Sequence, residues 1–311
     1  MKKHYFYPLL LCTAICIAAC SKDDAGSTPP DSSTDKPISL IGQEAKAYQQ
    51  RIEVPAVKDQ SMFIVHSTTK YGVTYTEEWD KSQKTQRWAA YRRTDANAVE
   101  EWHRDRWKAG TIWKDAYYNG DPFQEDSIIP LMYRTHLSDY YDSGFTRGHI
   151  VNSHDRLMSQ NANGQTFYLS NIQPQLYAFN TGVWENMEDW VYNLGKNKQK
   201  RKVLYIAKGG TTTPTASIPN PLYSKNEAGG KINIPVPRYF WMAILLLDNN
   251  DKYHAIAFWA EHRDNQDTNI KNYTISIDEL EARTGIDFFP NLPDNVETEV
   301  EAKKVLTEWS W

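Results

Sequence analysis

The chain has 311 residues, 40% hydrophobic and 13% aromatic, with 35 Lys and Arg against 39 Asp and Glu, a formal net charge of −4. That balance argues against a sequence-independent nucleic-acid coat, which needs a broad basic face. An enzyme that must release its product is less constrained, because a local basic patch is enough. Cys12, Cys16 and Cys20 are the only cysteines, so disulfides and cysteine-ligated zinc are excluded from everything downstream.

Met1 to Ala19 carries Lys2 and Lys3 and then an apolar stretch from Tyr5, the pattern of a secretory signal too short for a stable membrane anchor. Ile17-Ala-Ala-Cys20 reads as a bacterial lipobox in which Cys20 is lipidated, and Ser21-Lys-Asp-Asp24 resembles a surface-export signal of bacterial lipoproteins. The expected location is extracytoplasmic, on the outer membrane. Loss of residues 1–19 takes away Lys2 and Lys3 and no acid, leaving 33 basic against 39 acidic residues and a charge of −6. Residues 20–45, rich in Ser, Asp, Pro and Thr, read as a flexible tether. Residues 46–311 are enough for one domain with a large core.

Within that domain Met62–His66, Gly72–Trp79 and Thr85–Arg93 predict strands of a meander. Ala96–Lys108 predicts a short helix, and Asp115–Tyr133 a loop-rich stretch. Thr146-Arg-Gly-His149 follows in a loop, where Gly148 lets the backbone turn. Thr166-Phe-Tyr-Leu-Ser170 predicts a strand, and Asn171-Ile-Gln-Pro174 ends it because proline cannot donate to a ladder. From Asn180, the apolar residues Val183, Trp184, Met187, Trp190, Val191 and Leu194 recur at threes and fours, an amphipathic helix that Gly195 stops. Val203–Ala207, Tyr239–Leu247 and Tyr253–Ala260 predict central strands, and Thr211–Ile234 a long loop bordering the substrate cleft. Ser276 and Glu279 form a capping box whose helix Gly285 closes. Glu297–Trp309 predicts a terminal amphipathic helix. The class is α+β, a central, mostly antiparallel sheet flanked by helices.

Chemistry concentrates between Asp142 and Trp190. His149 has an ordinary pKa near neutrality and can serve as a base. Arg147, two residues away, suits a phosphate or carboxylate. On an unbroken helix Asn180, Trp184 and Glu188 share one stripe, with Asn180 and Glu188 roughly 12 Å apart, too far to bind one ion directly. An Asn carbonyl suits Mg²⁺, which keeps most of its waters; an Asn N-cap with a solvated Glu fits the spacing equally well.

Thr146-Arg-Gly-His149, then a strand, then Asn171-Ile-Gln-Pro-Gln175, Asn180, Gly182, Trp184 and Glu188 resemble the signature of the DNA/RNA non-specific endonucleases, with a ββα-metal core. The likeness spans roughly residues 60 to 295, including Tyr75–Glu78, Trp88–Tyr91, Val236–Trp241 and Ser276–Pro290. It implies His149 as general base, Asn180 as the one protein ligand of Mg²⁺, Arg147 and Glu188 as phosphate and water-shell contacts, and Asn171 as a supporting group. Mn²⁺ or another divalent cation is the alternative ion. Thr146 stands where the family usually has Asp, and supplies a hydrogen bond without a charge. Implied partners are DNA and RNA as substrates and the membrane through Cys20, with an inhibitor or immunity protein left open. Arg92, Arg93, Arg104, Arg106 and the basic stretch Lys196 to Lys202, with Arg201, are candidate phosphate contacts or a solvated face.

Eleven Trp and nineteen Tyr also allow a non-catalytic surface lipoprotein that binds glycans or a partner protein. That alternative leaves the spacing of Arg147, His149, Asn180 and Glu188 unexplained. A zinc hydrolase centred on His154 and Asp155 lacks further ligands at sensible spacing.

Overall fold

In the central strands nearly every residue is apolar, which suits only a sheet covered on both faces. The computed structural model describes residues 35–107 and 122–311 and bears this out. β1 (Pro37–Leu40), α1 (Gly42–Lys46), β2 (Met62–Thr68), β3 (Gly72–Asp80) and β4 (Thr85–Arg93) come first. β5 (Thr146–His149), α2 (Gln160–Gln165) and β6 (Ile172–Gln175) follow, then the single turn α3 (Tyr177–Phe179) and α4 (Glu185–Lys196). β7 (Val203–Gly210), β8 (Tyr239–Leu247), β9 (Tyr253–Glu261), β10 (Thr274–Ile275), α5 (Ile277–Thr284) and α6 (Asp294–Glu301) complete the order. An eight-stranded antiparallel sheet runs β1-β2-β3-β4-β7-β8-β9-β10, and β5 pairs with β6 apart from it. Among the described residues, no helix is long and apolar enough to cross a membrane.

The alternation of strand side chains sorts the apolar run of β8 into two cores. Phe240, Met242, Ile244 and Leu246 join Trp184, Met187, Trp190 and Val191 on one face. Trp241, Ala243 and Leu245 join Ala45, Ile277, Leu280 and Phe288 on the other. Ser276 caps α5 by accepting from the Glu279 amide at 3.1 Å, and Gly285 ends it at φ +65°, as the capping box predicts.

Five expectations need correction. The signal segment and most of the tether lie outside the described residues, but residues 37–46 do not belong to a tether. Pro37–Leu40 pairs with Val65–Thr68, because an open sheet edge supplies the ladder partners that a polar sequence lacks by itself. No helix forms over 96–107: the Glu101 and Trp102 amides both donate to the Leu157 carbonyl, leaving one tight turn at Arg104–Arg106. Residues 166–170 are turns that continue α2, with the Phe167 and Tyr168 amides bonded back to Gly164 and Gln165. The strand is instead 172–175, and Pro174 is tolerated opposite Arg147 in a two-stranded ribbon with free outer edges. Helix α6 stops at Glu301, and Trp309 and Trp311 pack on Trp190 from irregular backbone, with ring centroids 5.6 and 5.0 Å away.

Candidate active site

The motif Thr146-Arg-Gly-His149 is strand β5, not a loop. Gly148 is required for close approach rather than for a turn, since a Cβ there would sit 2.2 Å from the Gln175 side chain on β6. Strand geometry puts Arg147 and His149 on the same side of the ribbon. Both meet Phe123: the Arg147 guanidinium lies 4.0 Å over its ring, and the His149 ring is 5.3 Å from it. Phe167 closes the other side of His149 edge-on at 4.9 Å, and Arg104 lies 5.1 Å over Phe167.

His149 Nε2 is buried and has no hydrogen-bond partner among the described residues. Burial, with Arg104 and Arg147 nearby, holds its pKa well below the ordinary imidazole value. The ring is therefore neutral at working pH, and a weaker base than a free imidazole. Its backbone carbonyl accepts from Trp184 Nε1 at 3.3 Å, which ties the strand to the following helix.

That helix is not one regular rod. Leu176 leads into α3, residues 180–184 form a π-helical turn, and Gly182 leaves helical geometry at φ −115° and ψ −111° before α4 begins. The stripe expected through Asn180, Trp184 and Glu188 is thus broken, and its outer members serve different neighbours. Asn180 Nδ2 donates to Thr146 Oγ1 at 3.2 Å, and Thr146 Oγ1 donates to the Gln175 carbonyl at 2.9 Å. Thr146 fixes the amide of Asn180 by its nitrogen, so that the carbonyl oxygen is the atom that could hold a cation. One neutral oxygen beside a polar ribbon fits a hard cation that keeps most of its waters.

Glu188 lies deeper. It accepts from Asn152 Nδ2 at 2.9 Å and from Lys208 Nζ at 3.0 Å. Burial raises its carboxyl, Lys208 opposes the rise, and the balance falls at about 7. Asn171 is a scaffold: its side chain accepts from the Val151 amide at 2.8 Å and donates to the carbonyls of Val151 and Thr166 at 3.0 and 2.8 Å. His154 caps nothing catalytic, and its ring stands 6.2 Å from Tyr192.

A cavity of about 540 Å³ opens beside this ribbon, lined by Leu137, Tyr140, Tyr141, Phe145, Thr146 and Arg147. The long loop after β7 packs near this cavity, with Phe145 against the cluster of Ala228, Ile232 and Val236. The basic candidates divide. Arg93 is buried in a 2.8 Å pair with Asp155, Arg201 is buried against Asp95, and Lys196 pairs with Glu100 at 2.6 Å. Burial in ion pairs removes Arg93 and Arg201 from any phosphate-binding face, while Arg104 stays at the His149 cluster.

Lys208, Asn152, Phe123 and Phe167 carry much of this geometry and are absent from the sequence expectations. A lysine inside the apolar run Val203–Ala207 and its extension was the available signal, since a buried cation demands a buried anion.

Comparison with known proteins gives the class first. The fold is similar to that of EndoG in the EndoG/EndoGI complex, a structure concerned with the mechanism of EndoG inhibition. The TM-score is 0.57 at 21% identity, covering 71% of this chain and 85% of that one. Residues 60–295 match the DNA/RNA non-specific endonucleases, and the chain belongs to that family. It is a metal-dependent endonuclease, a hydrolase. Relatives include a nuclease of Nostoc sp., 31% identical over 208 residues, or 63% of this chain and 70% of that protein. Nuclease C1 of Cunninghamella echinulata var. echinulata is 32% identical over 202 residues, 61% of this chain and 78% of that protein. Against a nuclease of Syncephalastrum racemosum, at 33% identity, the match covers 55% of each. Nothing here favours the glycan- or partner-binding alternative.

Proposed function

We propose that the protein hydrolyses phosphodiester bonds of both DNA and RNA with little sequence preference, with His149 as the general base. The observation that carries this is the unpartnered, neutral Nε2 of His149, held between two aromatic rings beside Arg147. A neutral ring is the form that can accept a proton, and a ring nitrogen not engaged by any described residue is where a water's proton would go. Nε2 takes the proton of the attacking water. Arg147 binds the phosphate, and the adjoining aromatic cavity accepts the neighbouring sugar or base. Nothing in this set distinguishes a 2′-hydroxyl or reads a base edge, which supports action on both nucleic acids.

Asn180 would hold the metal, Mg²⁺ in this reading with Mn²⁺ or another divalent cation as substitute. When bound, it would take up charge on the phosphate. Thr146 keeps the Asn180 carbonyl aimed, and Asn171 keeps the chain beyond His149 in place. Glu188 acts through Asn152 on the same segment. Lipidation of Cys20 would hold the enzyme outside the cytoplasm on the outer membrane.

The test is cleavage of plasmid DNA and total RNA by the full chain with Mg²⁺ or EDTA, beside His149→Ala and Asn180→Ala. Mg²⁺-dependent cleavage lost in both folded variants is the expected result. Undiminished cleavage by His149→Ala removes the base assignment.

A further inference from the structure

Away from Asn180, three side chains from separate elements converge in the interior: His66 on β2, Glu77 on β3 and Asp126 in the segment before β5. All are buried, at 0%, 0% and 3% exposure. We propose that they form a closed structural site for Zn²⁺, tying the β1–β3 end of the sheet to the segment that leads into the catalytic ribbon.

The spacing carries this proposal. His66 Nε2 lies 3.3 Å from Glu77 Oε1 and 3.2 Å from Asp126 Oδ2. Charge-assisted N–H···O bonds settle nearer to about 2.7–2.9 Å. Ligand bonds of about 2.0–2.1 Å in a tetrahedron place neighbouring donor atoms roughly 3.3 Å apart. A single proton on Nε2 also serves one acceptor well, whereas a cation serves both. The other carboxylate oxygen, Glu77 Oε2, is buried with no partner among the described residues; it lies too near Oε1 to fill a second tetrahedral vertex, so a water would complete the four ligands.

The outer contacts fit as well. Ser39 Oγ lies 2.9 Å from His66 Nδ1 and can accept a ring proton there, the arrangement that frees Nε2 for a metal. Ser170 Oγ donates to Asp126 Oδ2 at 2.9 Å, and the Ile128 amide donates to Oδ1 at 3.2 Å. Two carboxylates and a neutral imidazole cancel a divalent charge, so the loaded site carries no net charge into the interior. Mg²⁺ would demand six ligands and several waters, which a fully buried group does not provide.

The site is independent of the nuclease reading and is tested without activity. Full-length protein is dialysed against Zn²⁺ and its metal content measured. Co²⁺ is titrated in parallel for the intense visible absorption of a tetrahedral complex. One zinc per chain is expected in the wild type and in Asn180→Ala, with a tetrahedral Co²⁺ spectrum. Glu77→Gln keeps the side-chain shape, and should weaken Zn²⁺ binding at least about tenfold; His66→Asn should abolish it. No bound zinc and no tetrahedral Co²⁺ absorption in the wild type would overturn the proposal. So would zinc that disappears in Asn180→Ala but persists in Glu77→Gln. The wild-type cobalt spectrum decides the matter even if His66→Asn does not fold.

Discussion

His149 and His66 are two largely enclosed imidazoles with opposite surroundings. Burial disfavours the charged form of both. At His149 the neighbours are Arg104 and Arg147, so the depression is reinforced. At His66 they are Asp126 and Glu77, which override burial and push the metal-free ring up to about 9. The same side chain is thereby held neutral in one region, as the proposed base must be, and charged in the other unless the proposed metal takes the proton's place. The sign of the neighbouring charges decides the role, and burial alone does not.

The largest effect that would break this contrast is a swap of outcomes between the two sites. His149→Ala should lower kcat by about 10²- to 10⁴-fold with an almost unchanged denaturant midpoint. His66→Ala, which strands two buried carboxylates, should cost about 3–5 kcal/mol in denaturant unfolding. A His66→Ala chain as stable as the wild type would dissolve the distinction. Lys208→Met tests the same logic with the signs reversed, leaving Glu188 as an uncompensated buried acid. A loss of about 3 kcal/mol is expected, largely recovered by adding Glu188→Gln.

Glu188 also sharpens the comparison through pH. Its folded pKa, about 7, lies above the ordinary 4.5. Its contribution to stability is therefore complete below about pH 4.5 and is lost as pH rises through 7. Unfolding titrations between pH 5 and 8 should show a decline that Glu188→Gln flattens. For His149 the neutral form is the active one, so the acid limb of kcat/KM should fall below the usual imidazole value of 6.5. An acid limb above that value would mean that another group limits the rate. Smallest is Thr146→Val, which releases the Asn180 amide. Loss of that hydrogen bond, at about 1 kcal/mol, predicts roughly fivefold weaker activation by Mg²⁺.

Much of the sheet could be read directly. The runs of β7, β8 and β9 are long and largely apolar, those of β2, β3 and β4 are rich in β-branched and aromatic residues, and no helix explains them better. Ser276, Glu279 and Gly285 marked α5 through their capping chemistry. The failures fall where tertiary partners decide. Ala96–Lys108 has helical composition, yet Leu157 takes its amides. Thr166–Ser170 has strand composition but no strand beside it, whereas Pro174 enters a ribbon because Arg147 lies opposite. At the site, motif spacing brought out Arg147, His149, Asn180 and Glu188. It could not reveal the π-turn at Gly182 that separates Asn180 from Glu188, nor Lys208, whose role depends on a strand folding under α4. His66 passed for an ordinary strand residue, because nothing local connects it to Asp126 sixty positions later.

The order of the sheet has a consequence for how the molecule behaves in crowded solution. Of its two most adhesive segments, Tyr239–Leu247 is paired along both sides, while the outer side of Tyr253–Glu261 is held by the two-residue β10 at Ala257 and Phe258; the opposite edge is the four-residue β1. Exposed edges recruit other chains by backbone pairing, and short ones do so poorly. The arrangement keeps Tyr239–Leu247 out of reach in the native state. Association should therefore grow with the population of molecules that have shed β10, which bares the rest of Tyr253–Glu261, or β1.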